Sequence, residues 1–252
     1  MTKKKDVFLL IVEGPSDETI LSTILDDIFD LSKIFYQIDY GDITTGNTDA
    51  IKGKSIDERV TNAIKLYIKK NRYGIKKEDI KKVIFLTDMD GCYLSDKYIF
   101  ESDEKLKYTE EGIYTNNVNG ILERNKIKSK NLNKISTASS VYRNIPIEVY
   151  YFSCNIDHAF FGMLNLSDSE KELYSNEFAE DMLDNVDRHM NILDSLSKHG
   201  YEYKDSWNGI KEGLNSVNRS SNLLVFLINN KEYLREDIAE KIDSCRWLLS
   251  SF

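Results

Sequence analysis

The first strong signal along the chain is a continuous apolar run, DVFLLIV at residues 6–12. A run with no polar alternation suits a strand buried on both faces of a parallel sheet. It stops at Glu-Gly-Pro-Ser-Asp. Pro15 is well placed for the first turn of a helix, where Ser16 or Asp17 can satisfy exposed N–H groups. Ile20, Leu21, Ile24, Leu25 and Ile28 then recur at helical spacing through about residue 29. Residues 33–40 (KIFYQIDY) read as a second strand closed by Gly41-Asp42, and 41–55 are polar and loop-like. Val60, Ile64, Tyr67 and Ile68 place a helix over 56–72, and KVIFLT at 82–87 reads as a third buried strand ending at Asp88. Residues 91–115 are irregular with room for a small hairpin. A helix is predicted over 116–131, a strand over 147–153, and a helix capped by Asn155 through Leu164. Beyond about 168 the spacing is helical, apart from a short strand-like run at Leu223–Ile228.

Strand and helix thus alternate, which predicts an α/β fold: a parallel sheet with crossover helices, followed by a mainly helical C-terminal part. The predicted division is 1–165 for the α/β domain and 166–252 for the helical region. A chain of 252 residues fits one core with such an appendage.

Charge narrows the partners. The formal net charge is −8, so the molecule as a whole is not a cationic nucleic-acid binder, and any such binding needs a local basic face. Two basic runs offer one. The first holds Lys65, Lys69, Lys70, Arg72, Lys76, Lys77, Lys81 and Lys82. The second holds Arg124, Lys126, Lys128, Lys130 and Lys134. Lys69, Lys70, Lys76, Lys77, Lys128 and Lys130 are the candidates for phosphate contact; a solvated helix face is the commoner meaning of such runs. Lys52 and Lys54 are weaker candidates. Cys92, Cys154 and Cys245 form no CxxC pair, which fits reduced thiols and a cytoplasmic setting. No apolar run approaches the roughly 20 residues needed to cross a bilayer, and the opening segment lacks the cleavage site of a signal peptide.

Two acidic motifs carry the chemistry. Val12-Glu13-Gly14 closes the first strand, and Thr87-Asp88-Met89-Asp90-Gly91 closes a later one. In open parallel α/β sheets, sites form at the carboxyl ends of strands. Two aspartates one residue apart can aim oxygens at one ion, and Mg²⁺ wants hard oxygen ligands. Gly14 and Gly91 would permit close approach of a phosphate or backbone.

VEGPSDETIL followed by FLTDMDG resembles the Toprim domain, shared by topoisomerases, bacterial primases, OLD-family nucleases and small RNA-maturing nucleases. That family has Glu-Gly at the end of its first strand and Asp-x-Asp at the end of its third. The resemblance covers roughly residues 6–91. It implies a Toprim-like fold in which Asp88 and Asp90 bind Mg²⁺ or Mn²⁺, with Glu13 as general acid/base or further ligand. The chain is too short for a topoisomerase or primase. The resemblance therefore points to a small metal-dependent nuclease cutting DNA or RNA, of the kind found in anti-phage defence, with a partner protein or a second copy as possible associates.

Asp157 and His158 follow the 147–153 strand and are candidates for the same rim; a satisfied, partly buried histidine is the commoner role for His158. Asp42 offers a further acidic ligand or a plain Gly-Asp turn. His189 and His199 are expected at the surface. Two rival readings remain. FLTDMDGCY also resembles the nucleophile motif of haloacid-dehalogenase phosphatases, although that motif normally opens its domain. The fold could also serve as a non-catalytic sensor or partner-binding module.

Overall fold

A computed structural model describes residues 5–41, 43–45 and 53–249. The expected alternation is present. Strand β1 (Asp6–Val12) leads to helix α1 (Pro15–Ile28), β2 (Ile34–Tyr40), α2 (Ile56–Lys70) and β3 (Ile80–Asp88). Three short strands follow: β4 (Ile99–Glu101), β5 (Lys107–Thr109) and β6 (Gly112–Thr115). Then come α3 (Val118–Ile135), β7 (Ser140–Val141), β8 (Ile145–Phe152) and α4 (Ile156–Phe161). The remainder is helical: α5 (Asp168–Met182), α6 (Val186–Leu196), α7 (Tyr203–Gly209), α8 (Leu223–Asn229) and α9 (Glu236–Leu249).

The main sheet runs β2-β1-β3-β8-β7. Its first four strands are mutually parallel, and the two-residue β7 pairs antiparallel to β8. The sheet is therefore mixed but mostly parallel, with helices on both faces. The period-two pleat splits the apolar run of β1 between them. Phe8, Leu10 and Val12 pack in one cluster with α1, α8 and residues of α6 and α9. Val7, Leu9 and Ile11 pack in the other with α2, α3 and Trp207 of α7. The helices beyond residue 166 thus share a core with the sheet.

Beyond β7, the outer edge of β8 is closed by side chains rather than by another long strand. Tyr151 N–H donates to Asn222 Oδ1 (2.7 Å), and its carbonyl accepts from Ser221 Oγ (2.8 Å). Val149 N–H donates to Tyr203 Oη (3.3 Å), and its carbonyl accepts from Trp207 Nε1 (3.1 Å). Unpaired backbone groups on a buried edge are costly, and these contacts satisfy them.

Three expectations change. The run Leu223–Ile228 is helical: the residues from Leu223 to Leu227 are all buried, so no polar face betrays the period. His189 is not a surface residue; it is buried, with Nε2 2.9 Å from Asp27 Oδ2. Residues 91–115 hold more than a hairpin, because β4 and β5 flank β6 in a three-stranded sheet, β4 parallel to it and β5 antiparallel. Among the described residues, no helix is long and apolar enough to cross a membrane.

Candidate active site

Register brings the two acidic motifs together. Ile11 lies beside Phe85 in the β1–β3 pair, so Glu13, two residues on, emerges beside Thr87 and Asp88. Glu13 Oε1 accepts the Thr87 hydroxyl at 2.6 Å and the Asp88 N–H at 3.2 Å. Asp88 is also the last residue paired with β8, opposite Phe152. Its Oδ1 accepts the N–H of Ile156 at the start of α4 (3.0 Å). Three adjacent parallel strands therefore end at one rim, and the acids sit where they end.

Asp90 turns back beneath this rim. Its N–H donates to the Cys154 carbonyl (2.8 Å), and its backbone is left-handed with φ 50°. Gly91 continues the turn at φ 66°, where a Cβ would stand 2.9 Å from both Ile113 and Val217 side chains, so glycine is required for space as well as conformation. Gly14 is different. It is extended (φ −143°), and a Cβ there would make only ordinary contact with Asp17, so nothing in the backbone demands glycine.

Helix α3 clamps the turn from outside. Arg124 Nη2 donates to the Asp90 carbonyl (2.6 Å), and Nη1 donates to Tyr108 Oη (2.5 Å). Asn125 Nδ2 donates to the Gly91 carbonyl (3.2 Å). One turn beyond Arg124, Lys128 inserts its ammonium between the acids, 2.5 Å from Asp90 Oδ2 and 3.3 Å from Glu13 Oε1. The Lys128 side chain is 1% exposed. Burial alone would lower its pKa, but the carboxylates of Asp90 and Glu13 outweigh that and hold it well above the ordinary lysine value.

Asp17 joins the group from α1. Its Oδ2 accepts the N–H groups of Glu13 (3.1 Å) and Gly14 (2.9 Å), the capping role expected at a helix start. It is also buried beside other acids. Desolvation first, and then the charge of Asp157, push its pKa up to about 6 against the helping backbone N–H groups. Asp88 responds more strongly. The surrounding protein strips it of water, and Asp17, Glu13 and Asp90 add negative charge, so its pKa stands well above the usual carboxylate value despite Lys128.

Glu13, Asp17 and Asp88 line a cleft of about 780 Å³ between the start of α1 and helix α5, whose far wall carries Asp168, Lys171 and Glu172. Asp157 lies just behind it, buried, with Lys171 Nζ 3.1 Å from its Oδ2. Among the described residues, no group of three or more His, Cys, Asp or Glu side chains forms a ready-made metal cage. Asp88 spends one oxygen on Ile156, Asp17 spends one on the α1 start, and Asp90 spends one on Lys128.

The remaining sequence candidates separate. His158 is buried on α4, but its charged neighbours are Glu110, Arg219 and Lys198, not the rim acids, and burial lowers its pKa. Asp42 and Lys52 lie outside the described residues. Lys69, Lys70 and Lys76 are exposed and Lys77 is half-buried, and all four precede β3. They belong to the amino-terminal rim of the sheet, a β3 length of roughly 26 Å from Asp88 at about 3.3 Å per residue. Lys130 is exposed on α3. Lys128 corrects the reading of the second basic run: it is an internal residue of the acid cluster, closed to a passing phosphate backbone. Its position in the run carries no signal of this, because the helical face that turns inward is set by the packing of Leu132 and Ile135. Asp17 was legible as a cap, but its proximity to Asp88 was not.

Comparison of the chain with protein-family models, with curated proteins and with solved structures gives no match. The functional reading therefore rests on this geometry.

Proposed function

We propose that the chain is a divalent-metal-dependent phosphodiesterase that hydrolyses a nucleic acid, built on a Toprim-like arrangement of strands. One observation carries the reading. Glu13 at the end of the first strand meets Asp88 at the end of the third and Asp90 just beyond it through direct contacts and the shared Lys128, and Glu13, Asp17 and Asp88 border an open cleft. This is the placement that the Glu-Gly and Asp-x-Asp motifs require of their strands.

The donor set suits Mg²⁺ or Mn²⁺. It is all oxygen, and Mg²⁺ is usually held by one or two carboxylates with water and phosphate completing the shell, so a three-carboxylate cage is not needed. Burial first, and then neighbouring carboxylates, raise the pKa of Asp88 and of Asp17, so both acids are held in a dry, negatively charged setting that a dication would relieve. The ion would be held from the acids that face the cleft, Glu13, Asp17 and Asp88. When bound it would polarise a phosphoryl oxygen and acidify a water.

The chain's own residues do the rest. Thr87 and the Asp88 N–H orient the Glu13 carboxylate, which is then fixed to accept a proton from water at the cleft floor. Lys171 presents a cation on the opposite wall for a non-bridging phosphate oxygen. Lys126 and Lys130, on the outward face of the helix that carries Lys128, provide exposed charge for a nucleic-acid backbone.

The test is cleavage of single- and double-stranded DNA and RNA with Mg²⁺ or Mn²⁺, using variants purified in parallel. Glu13→Gln and Asp88→Asn should each reduce cleavage by about 10²- to 10⁴-fold. Cleavage equal in wild type and both variants, or none on any substrate with either ion, overturns the reading.

A further inference from the structure

The acid cluster has two halves with different access. Glu13, Asp17 and Asp88 face the cleft, whereas neither Asp90 nor Lys128 contributes to its lining. In the closed half, the Lys128 ammonium lies within hydrogen-bond distance of both Asp90 and Glu13. Such a buried lysine is expensive to desolvate and persists only with close partners. It is also held in place: Arg124 and Asn125 on the preceding turn of α3 tie that helix to the backbone of Asp90 and Gly91. In the open half, no ammonium among the described residues lies within salt-bridge distance of Asp17 or Asp88 as Lys128 does of Asp90 and Glu13. Lys171, the basic residue of the cleft wall, is paired with Asp157.

We propose that Lys128 serves as a permanent, protein-borne cation in the position a second divalent ion would otherwise take, so that the site binds a single divalent ion, on the Asp17–Asp88 side of the cluster. This rests on the metal-dependent reading above and deepens it. Phosphoryl-transfer sites with two ions place them about 3.5–4 Å apart, each sharing carboxylates with the other. Here one of the two shared positions, between Glu13 and Asp90, is already filled by an ammonium. The charge it brings is fixed, and α3 sets its position before substrate arrives. Lys128 is then a positioning residue: it neutralises Glu13 and Asp90 and leaves Asp88 as the principal ligand of the exchangeable ion.

The deciding experiment counts ions rather than turnover. Equilibrium dialysis with Mn²⁺, read by electron paramagnetic resonance, should give one tightly bound ion per chain for the wild type. Lys128→Met and Lys128→Gln, both near the lysine in volume, should bind two. Asp90→Asn should keep the single ion with affinity within about threefold, while Asp88→Asn should lose it by at least about a hundredfold. That arm does not depend on the Lys128 variants folding. Two ions on the wild type, or one ion on folded Lys128 variants, overturns the role of Lys128 and leaves the metal-dependent reading intact. An Asp90→Asn protein that loses the ion as fully as Asp88→Asn does so too. No bound ion on the wild type at millimolar Mn²⁺ overturns both.

Discussion

At the scale of single residues, the cluster behaves as a site whose chemistry costs stability. Asp17 shows the sign of the effect. Its folded pKa is raised to about 6, above the unfolded value near 3.9. The folded state therefore holds its proton more tightly, and stability falls as pH rises from about 4 to about 6, then stays reduced above that. Asp17→Asn keeps an oxygen for the Glu13 and Gly14 N–H groups and removes the charge. It should raise the melting temperature at pH 7.5, by an amount equivalent to at most about 3 kcal/mol, and the gain should shrink towards zero near pH 4. Saturating Mg²⁺ should narrow the difference at pH 7.5 by stabilising the wild type. A variant equally destabilised at both pH values would contradict the argument. The same residue marks a limit of the sequence. Its capping role could be read from Pro-Ser-Asp after a strand, but its second role depends on Asp88 and Asp157, both distant in the chain. Lys128 is a sharper case. Nothing in ERNKIKSKN distinguishes the lysine that turns inward from Lys126 and Lys130, which turn outward.

At the scale of elements, α3 and the β3 turn act as one device. Arg124, Asn125 and Lys128 all reach Asp90 or Gly91, and they fix the left-handed turn that begins at Asp90, a conformation aspartate tolerates. Arg124→Met removes the bonds to the Asp90 carbonyl and to Tyr108 while keeping most of the packing volume. Misplacing a reacting group by about 1 Å can cost about 100-fold in rate. Cleavage by this variant should fall about 10- to 100-fold, with a melting temperature lowered only modestly. A rate that follows the loss of folded protein and nothing more would assign α3 a purely structural role. The elements themselves were legible wherever the period was clean: β1, α1, α2, β3 and β8 follow their apolar runs. Strand β7 has only two residues, too few for any period, and the three-stranded sheet of β4–β6 is made of strands of three and four residues among turn-forming residues. The strand-like run in α8 failed for the opposite reason, since a segment apolar on every side fits either period.

At the scale of the molecule, the helical C-terminal part and the sheet share one apolar cluster. Phe226 of α8 is fully buried and meets the rings of Phe29 and Tyr150, from the end of α1 and from β8. Phe226→Ala should cost about 3–5 kcal/mol, and the loss should appear as one cooperative transition, with the same midpoint by far-ultraviolet circular dichroism and by tryptophan fluorescence. Two separated transitions would mean that the helices and the sheet unfold independently. The boundary near residue 165 was drawn from the change of pattern from strands to helices. Which face of the sheet those helices cover could not be drawn that way, because it depends on contacts such as Leu193, Leu196 and Leu223–Leu227 against β1 and β8.

The account stands on the rim formed by Glu13, Asp17, Asp88 and Asp90 being a binding place for a divalent ion. Anomalous diffraction from a crystal equilibrated with Mn²⁺ tests this most directly. The account predicts a peak at the floor of the cleft, about 2.1 Å from a carboxylate oxygen of Asp88, which disappears in Asp88→Asn. A cleft floor without a peak in a wild-type crystal saturated with Mn²⁺, with Lys128 still joined to Glu13 and Asp90, would contradict it.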